Sequence, residues 1–145
     1  MNQVLLLPFI AMLIAQISKF FIRTNNISWG FKNLVAYSGM PSGHSALMVS
    51  LTTIVGLKEG FNSTLFAICI IFTILVIRDA LGLRRYLGLH GKILNKLVKD
   101  LDEDELLDLK YPHLLERIGH TPAQVLVGSL IGIAVSLIGF LLVKS

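Results

Sequence analysis

The chain is expected to be an all-helical integral membrane bundle, with about four transmembrane helices plus a cytoplasmic amphipathic helix in a single domain over residues 1–145. Three observations predict this. Of the 145 residues, 54% are hydrophobic and 15% charged, and the mean hydropathy is +0.73, more apolar surface than one small soluble core requires. The apolar residues gather into four runs: Val4 to Ile22, Ala46 to Leu57, Leu65 to Ile77 and Val125 to Val143. The one long polar segment, between the third and fourth runs, itself carries helical periodicity.

The first run, MNQVLLLPFIAMLIAQISKFFIR, has no basic residue ahead of it and no small-residue cleavage site behind it, so it reads as a retained span. Its length matches a bilayer at 1.5 Å per residue, as does that of the last run. The middle runs are shorter. Between them, KEGFNS (Lys58 to Ser63) contains Gly60 and Asn62, which favour a tight reversal and predict a helical hairpin. Short apolar cores of this kind also suit a re-entrant pair.

Within the polar segment, LHGKILNKLVKDL places Leu89, Ile93, Leu97 and Leu101 at four-residue steps, predicting an amphipathic surface helix. The acidic DEDELLD that follows reads as its solvated continuation. Trp29 and Tyr37, in the first connection, read as interface anchors. Cys69 is the one cysteine, so neither an intramolecular disulfide nor a multi-cysteine metal site is expected, and it reads as a packing residue.

Four crossings place Lys19, Arg23, Lys32, Arg78, Arg84, Arg85, Lys92, Lys96, Lys99, Lys110 and Arg117 at one face and only Lys58 and Lys144 at the other. That asymmetry points the basic face to the cytoplasm of a bacterial-type cell membrane. The net charge of +4 suits anionic headgroups, and no nucleic-acid partner is expected. No acidic residue or histidine falls in mid-span, which argues against transport.

Two histidines stand at the start of apolar runs on that same face, His44 in GMPSGHSALM and His120 in RIGHTPAQVLVG. Ser42 and Thr121 are cap residues and Pro122 suits a first helical turn, so both motifs spell a helix N-terminus. Such ends present unpaired N–H groups and partial positive charge, a receiver for phosphate. Gly43 allows close backbone approach and Ser42 supplies a hydroxyl. Lys19, Arg78 and Asp79 arrive from the ends of neighbouring spans. For either histidine alone, a polar cap at the interface is the favoured reading; the two together, with shared topology and flanking motifs, favour a phosphate-type site. His90 and His113 have no partner pattern and read as surface residues. Arg84 and Arg85 fit two roles, topology and anionic lipid on one hand, substrate on the other. Gly128, Gly132 and Ser136 recur every fourth residue, a stripe for close packing within the bundle or against another copy of the chain.

PSGH before a helix, GHTP before another and an earlier Lys together resemble the type 2 phosphatidic acid phosphatase and vanadium haloperoxidase superfamily. RDALGLRR, KILN and GHTPAQV resemble its divergent small-membrane-protein branch, termed acid phosphatase/haloperoxidase-related, over Lys19 to Gly132. The resemblance implies hydrolysis of a lipid phosphate or small phosphate ester through a phosphohistidine. His120 would be the nucleophile, His44 the acid on the leaving oxygen, and Ser42, Gly43 and Lys19 the phosphate cradle, with no metal and no cofactor. The chain departs from the superfamily pattern at three positions: Asn26 stands where the first motif has Arg, Leu114 where the third has Arg, and Gln124 where the third has Asp. Arg78, Arg84, Arg85 and Arg117 are the candidates to replace the arginines, and Asp79 and Gln124 to orient the nucleophile. A non-catalytic phosphate or phospholipid-headgroup binding protein fits the same residues, and a small scaffold with no site is the third reading.

Overall fold

The computed structural model describes residues 3–22, 39–101, 113–116 and 118–144. The described residues form five helices and no strand: α1 (Gln3–Phe21), α2 (Gly43–Glu59), α3 (Thr64–Leu81), α4 (Leu83–Leu101) and α5 (Pro122–Lys144). Arg23, Asn26, Trp29, Lys32, Tyr37, the acidic DEDELLD stretch, Lys110 and Arg117 lie outside the described residues.

Three helical stretches are long and apolar enough to cross a membrane: Gln3–Phe21, Thr64–Leu101, whose apolar part is α3, and Pro122–Leu142. The fourth helix of the bundle, α2, has 17 residues and is studded with Gly, Ser and Thr. It packs against α1, α3 and α5, and its Ser50 and Thr52 hydroxyls bond to those neighbours. The predicted hairpin is present. Gly60 ends α2 at φ +90, a conformation a Cβ would strain, and the Ser63 hydroxyl accepts from the Phe66 amide to cap α3.

Between helices, hydroxyls and small residues hold the bundle together, as expected where lipid supplies no hydrophobic drive for helix association. The Ser50 and Ser136 hydroxyls meet at 2.7 Å between α2 and α5, and Ser136 Oγ also donates to the Ser50 carbonyl. Thr52 and Thr73 join α2 to α3 at 2.7 Å, and Gln3 Nε2 donates to the Gly139 carbonyl to join α1 to α5. The Gly128, Gly132, Ser136 stripe lies inside this interface: a Cβ on Gly128 would sit 2.3 Å from the Ser42 carbonyl oxygen, and one on Gly132 2.5 Å from that of Ala46. All three residues are buried, so the stripe is spent within the chain and is closed to a second copy.

The amphipathic helix begins earlier than its leucine spacing suggests. Gly82, at φ −106 and ψ −87, interrupts α3, and α4 starts at Leu83, which places Arg84 and Arg85 in its first turn. Residues 113–116 and Ile118 then lie along one side of α4. Asn95 grips them: its Nδ2 donates to the Leu114 carbonyl, its Oδ1 accepts from the Leu114 amide, each at 2.9 Å, and Nδ2 also reaches Glu116 Oε1. Gly88 and Gly91 make room, since a Cβ on Gly88 would fall 2.5 Å from the Glu116 carbonyl. Replacing Asn95 with Ala removes both backbone bonds, roughly 1–3 kcal/mol of local stability. Limited proteolysis is expected to cut Asn95→Ala within residues 113–116 well before wild type.

Candidate functional site

All four bundle helices bring a chain end to one place. Ser42 donates its amide to the Gln124 carbonyl at 2.9 Å, pinning the start of α2 to the first turn of α5. His120 donates its amide to the Ala80 carbonyl at 3.0 Å, pinning the approach to α5 onto the end of α3. Gly119, at φ +94, lets that approach turn tightly over Arg85 and Ala80. Lys19, in the last turn of α1, completes the ring and is 2% exposed.

The two imidazoles therefore meet. Their ring centroids lie 6.3 Å apart, with the planes at 74°. His44 is exposed, whereas His120 is 4% exposed. Both ring nitrogens of His120 are buried and lack a hydrogen-bond partner among the described residues. A buried polar group left unpaired costs about 1–3 kcal/mol, so a bare imidazole here is an unusual thing to retain. Burial, reinforced by the positive charges of Lys19, His44 and Arg84, lowers the His120 pKa to about 4. Its ring is thus neutral at physiological pH, with a nitrogen lone pair available.

This burial sets a pH dependence. In the unfolded chain His120 titrates near 6.5, in the folded one near 4, so between those values the unfolded state binds the proton more readily. The contribution is fully present above about pH 6.5 and is lost as pH falls toward 4. Thermal unfolding in detergent is expected to show a midpoint that drops over this window in wild type and drops less in His120→Gln.

The phosphate-cradle candidates gather beside the rings. Ser42 is fully buried, and its Oγ accepts from the Ser45 amide and hydroxyl, which leaves its own proton to donate. The Gly43 and His44 amides precede the first intrahelical acceptor and point from the helix start. Lys19, Arg84 and Asp79 lie within electrostatic reach of His44. Arg84 Nε is bonded to Asp79 Oδ2 at 2.5 Å, so this cation is held by the bundle's own carboxylate.

Several candidates sit elsewhere. Arg78 and Arg85 are exposed, and neither is among the charges acting on the imidazoles. Arg85 instead rims a separate groove of about 520 Å³ with Tyr86, Lys92 and Glu116. Neither orienting candidate touches His120. Gln124 Oε1 accepts from the Thr121 amide while Thr121 Oγ1 accepts from the Gln124 amide, a reciprocal cap that holds the side-chain oxygen at the helix start. Asp79 is taken by Arg84. Leu114 is exposed on the 113–116 segment, and its backbone serves the Asn95 grip. His90 and His113 are exposed, as expected of surface residues.

One residue at the site was missed in the sequence. Gln16 stands one turn before Lys19, and its side chain lies 3.3 Å from where a Cβ on Gly43 would be. Its Oε1 is buried without a partner among the described residues. The signal was its position, three residues ahead of a lysine on the buried face of α1. No group of three or more His, Cys, Asp or Glu among the described residues is placed to hold a metal ion.

Comparison with known proteins agrees with this architecture. The chain is 36% identical to a Bacillus subtilis (strain 168) protein described as uncharacterized membrane protein YuiD, over 94% of this chain and 93% of that one. No solved structure matches it. The model of the divergent PAP2 family matches residues 1–135. With helices that pack as a membrane bundle and two helix-start histidines that meet at one end of it, the chain belongs to the divergent PAP2 family.

Proposed function

We propose that the protein is a membrane phosphatase that hydrolyses a lipid phosphate or small phosphate ester at the cytoplasmic face through a phosphohistidine on His120. The observation that carries this reading is the pair of imidazoles 6.3 Å apart, one exposed and one buried and neutral, with no hydrogen-bond partner to its ring among the described residues. An in-line transfer needs a nucleophile about 3 Å from phosphorus and an acid about 3 Å from the leaving oxygen on its far side, and two imidazoles with centroids 6.3 Å apart are close enough to serve one phosphoryl group. In the first step a His120 nitrogen bonds to phosphorus as the ester P–O bond breaks, and His44 gives its proton to the leaving oxygen. In the second, His44 takes a proton from water, whose oxygen bonds to phosphorus as the P–N bond breaks, releasing inorganic phosphate. Lys19, Ser42 and the Gly43 amide hold the equatorial oxygens, with Arg84 nearby. Because the His120 nitrogens are sealed in this conformation, substrate reaches them only after covering groups move aside.

A second reading has its own support. With Gln124 in a cap and Asp79 on Arg84, no described side chain fixes the His120 tautomer or steadies its positive charge. Those features suit a protein that binds phosphate or a phospholipid headgroup without turnover. Purified protein assayed against lipid and soluble phosphate esters, with acid- and base-quenched trapping of labelled phosphoprotein, separates the two. The phosphatase reading expects an acid-labile, base-stable adduct on the His120 peptide and turnover lost in His120→Ala and His44→Ala. Turnover unchanged in both variants overturns it, and phosphate binding without turnover favours the headgroup reading.

A further inference from the structure

One long surface of the described chain has no protein against it. On the α4 wheel, Leu83, Leu87, Ile93, Leu94, Leu97 and Leu101 form a single arc, and each is between 47% and 68% exposed. Residues 114–116 and Ile118 lie on a different side, along Gly88, Gly91 and Asn95. Away from the apolar arc stand Arg85, Lys92, Lys96 and Lys99, all exposed. The position of the helix adds a second constraint. α4 starts directly after the Gly82 break, beside Ala80, whose carbonyl holds His120, and its Arg85 backbone touches Gly119. Its first turn therefore stands at the end of the bundle where α1 and α3 finish and α2 and α5 begin. On α3, Ile71, Phe72 and Leu75 are likewise exposed by more than half, a face for lipid where that helix crosses the membrane.

We infer that α4 lies in the plane of the bilayer surface, its apolar arc among the acyl chains and Arg85, Lys92, Lys96 and Lys99 held against anionic phospholipid headgroups. A helix of 19 residues laid flat covers about 28 Å of membrane surface. With Arg84 held by Asp79, four basic residues against the single acidic Asp100 match an anionic layer, and the lysine stems are long enough to reach headgroups from a half-sunk helix. This assignment is independent of whether the histidine site turns over phosphate.

The test uses the full chain with Cys69→Ala, reconstituted in vesicles of phosphatidylcholine alone or mixed with phosphatidylglycerol. Single cysteines replace Leu94, Leu97, Lys92 or Lys96 and carry nitroxide labels, and only variants that elute from size exclusion as wild type does are read. In mixed vesicles, Leu94→Cys and Leu97→Cys are expected to be several-fold more open to oxygen than to a water-soluble nickel chelate, with the ratio reversed at Lys92→Cys and Lys96→Cys. Removing phosphatidylglycerol, or adding K96Q and K99Q to Leu94→Cys, is expected to raise nickel access at position 94. Labels at 94 and 97 that are open to nickel in mixed vesicles overturn the inference. So do labels closed to both reagents, which would place a protein partner or second copy on the arc, and so does indifference to lipid charge.

Discussion

Gly128→Leu and Gly132→Leu are expected to yield protein that fails to fold into a stable bundle. The contacts at stake are backbone to backbone: a Cβ at either position would sit within 2.5 Å of a carbonyl oxygen of Ser42 or Ala46. Overpacking a core costs about 1–3 kcal/mol when side chains can give way. Here no flexible side chain stands in the way, so α2 and α5 must separate, which also pulls apart the Ser50 and Ser136 hydroxyls. The expected cost exceeds about 3 kcal/mol, seen as aggregation on size exclusion or a collapsed unfolding midpoint in detergent. Leu126→Ala, at a residue 61% exposed on the outer face of the same helix, is the matched control and is expected to change little. Equal tolerance at both glycines would mean that the α2 to α5 approach is wrong.

His120→Leu is expected to separate function from stability. A buried histidine kept for packing should destabilise the protein when lost. Here the ring's two nitrogens have no partner among the described residues, so an apolar replacement removes an unsatisfied group worth about 1–3 kcal/mol and offsets the lost contacts. The thermal midpoint of His120→Leu should match or exceed that of wild type, while phosphate-directed activity falls by at least about 100-fold. A large drop in midpoint would identify His120 as a structural residue.

Much of this fold could be read from the chain because local grammar and burial agree. Gly60 and Ser63 mark the hairpin, Ser42 and Thr121 mark the starts of α2 and α5, and helix alternation alone sends both histidines to one end. What escaped depends on partners distant in sequence. Gln124 was offered as an orienting group because it stands where the superfamily's third motif has Asp, yet three residues of separation from Thr121 gave it a nearer use in the cap. Arg84 and Arg85 look alike in sequence, but adjacent positions on a helix point about 100° apart, sending one toward Asp79 and the histidines and the other to the α4 groove. Asn95 carries no signature in KILN, because its partner is the backbone of a segment nineteen residues later. The small-residue stripe was legible as a packing face, but only coordinates show that α2 fills it.

The central claim is that His44 and His120 share one seat for a tetrahedral oxyanion. Calorimetric titration of orthovanadate into the detergent-purified protein, alongside His44→Ala and His120→Ala, tests it without requiring turnover. One bound oxyanion per chain is expected, weakened at least tenfold by each substitution. Wild-type affinity retained in either variant, or no binding to the wild-type protein, would contradict it.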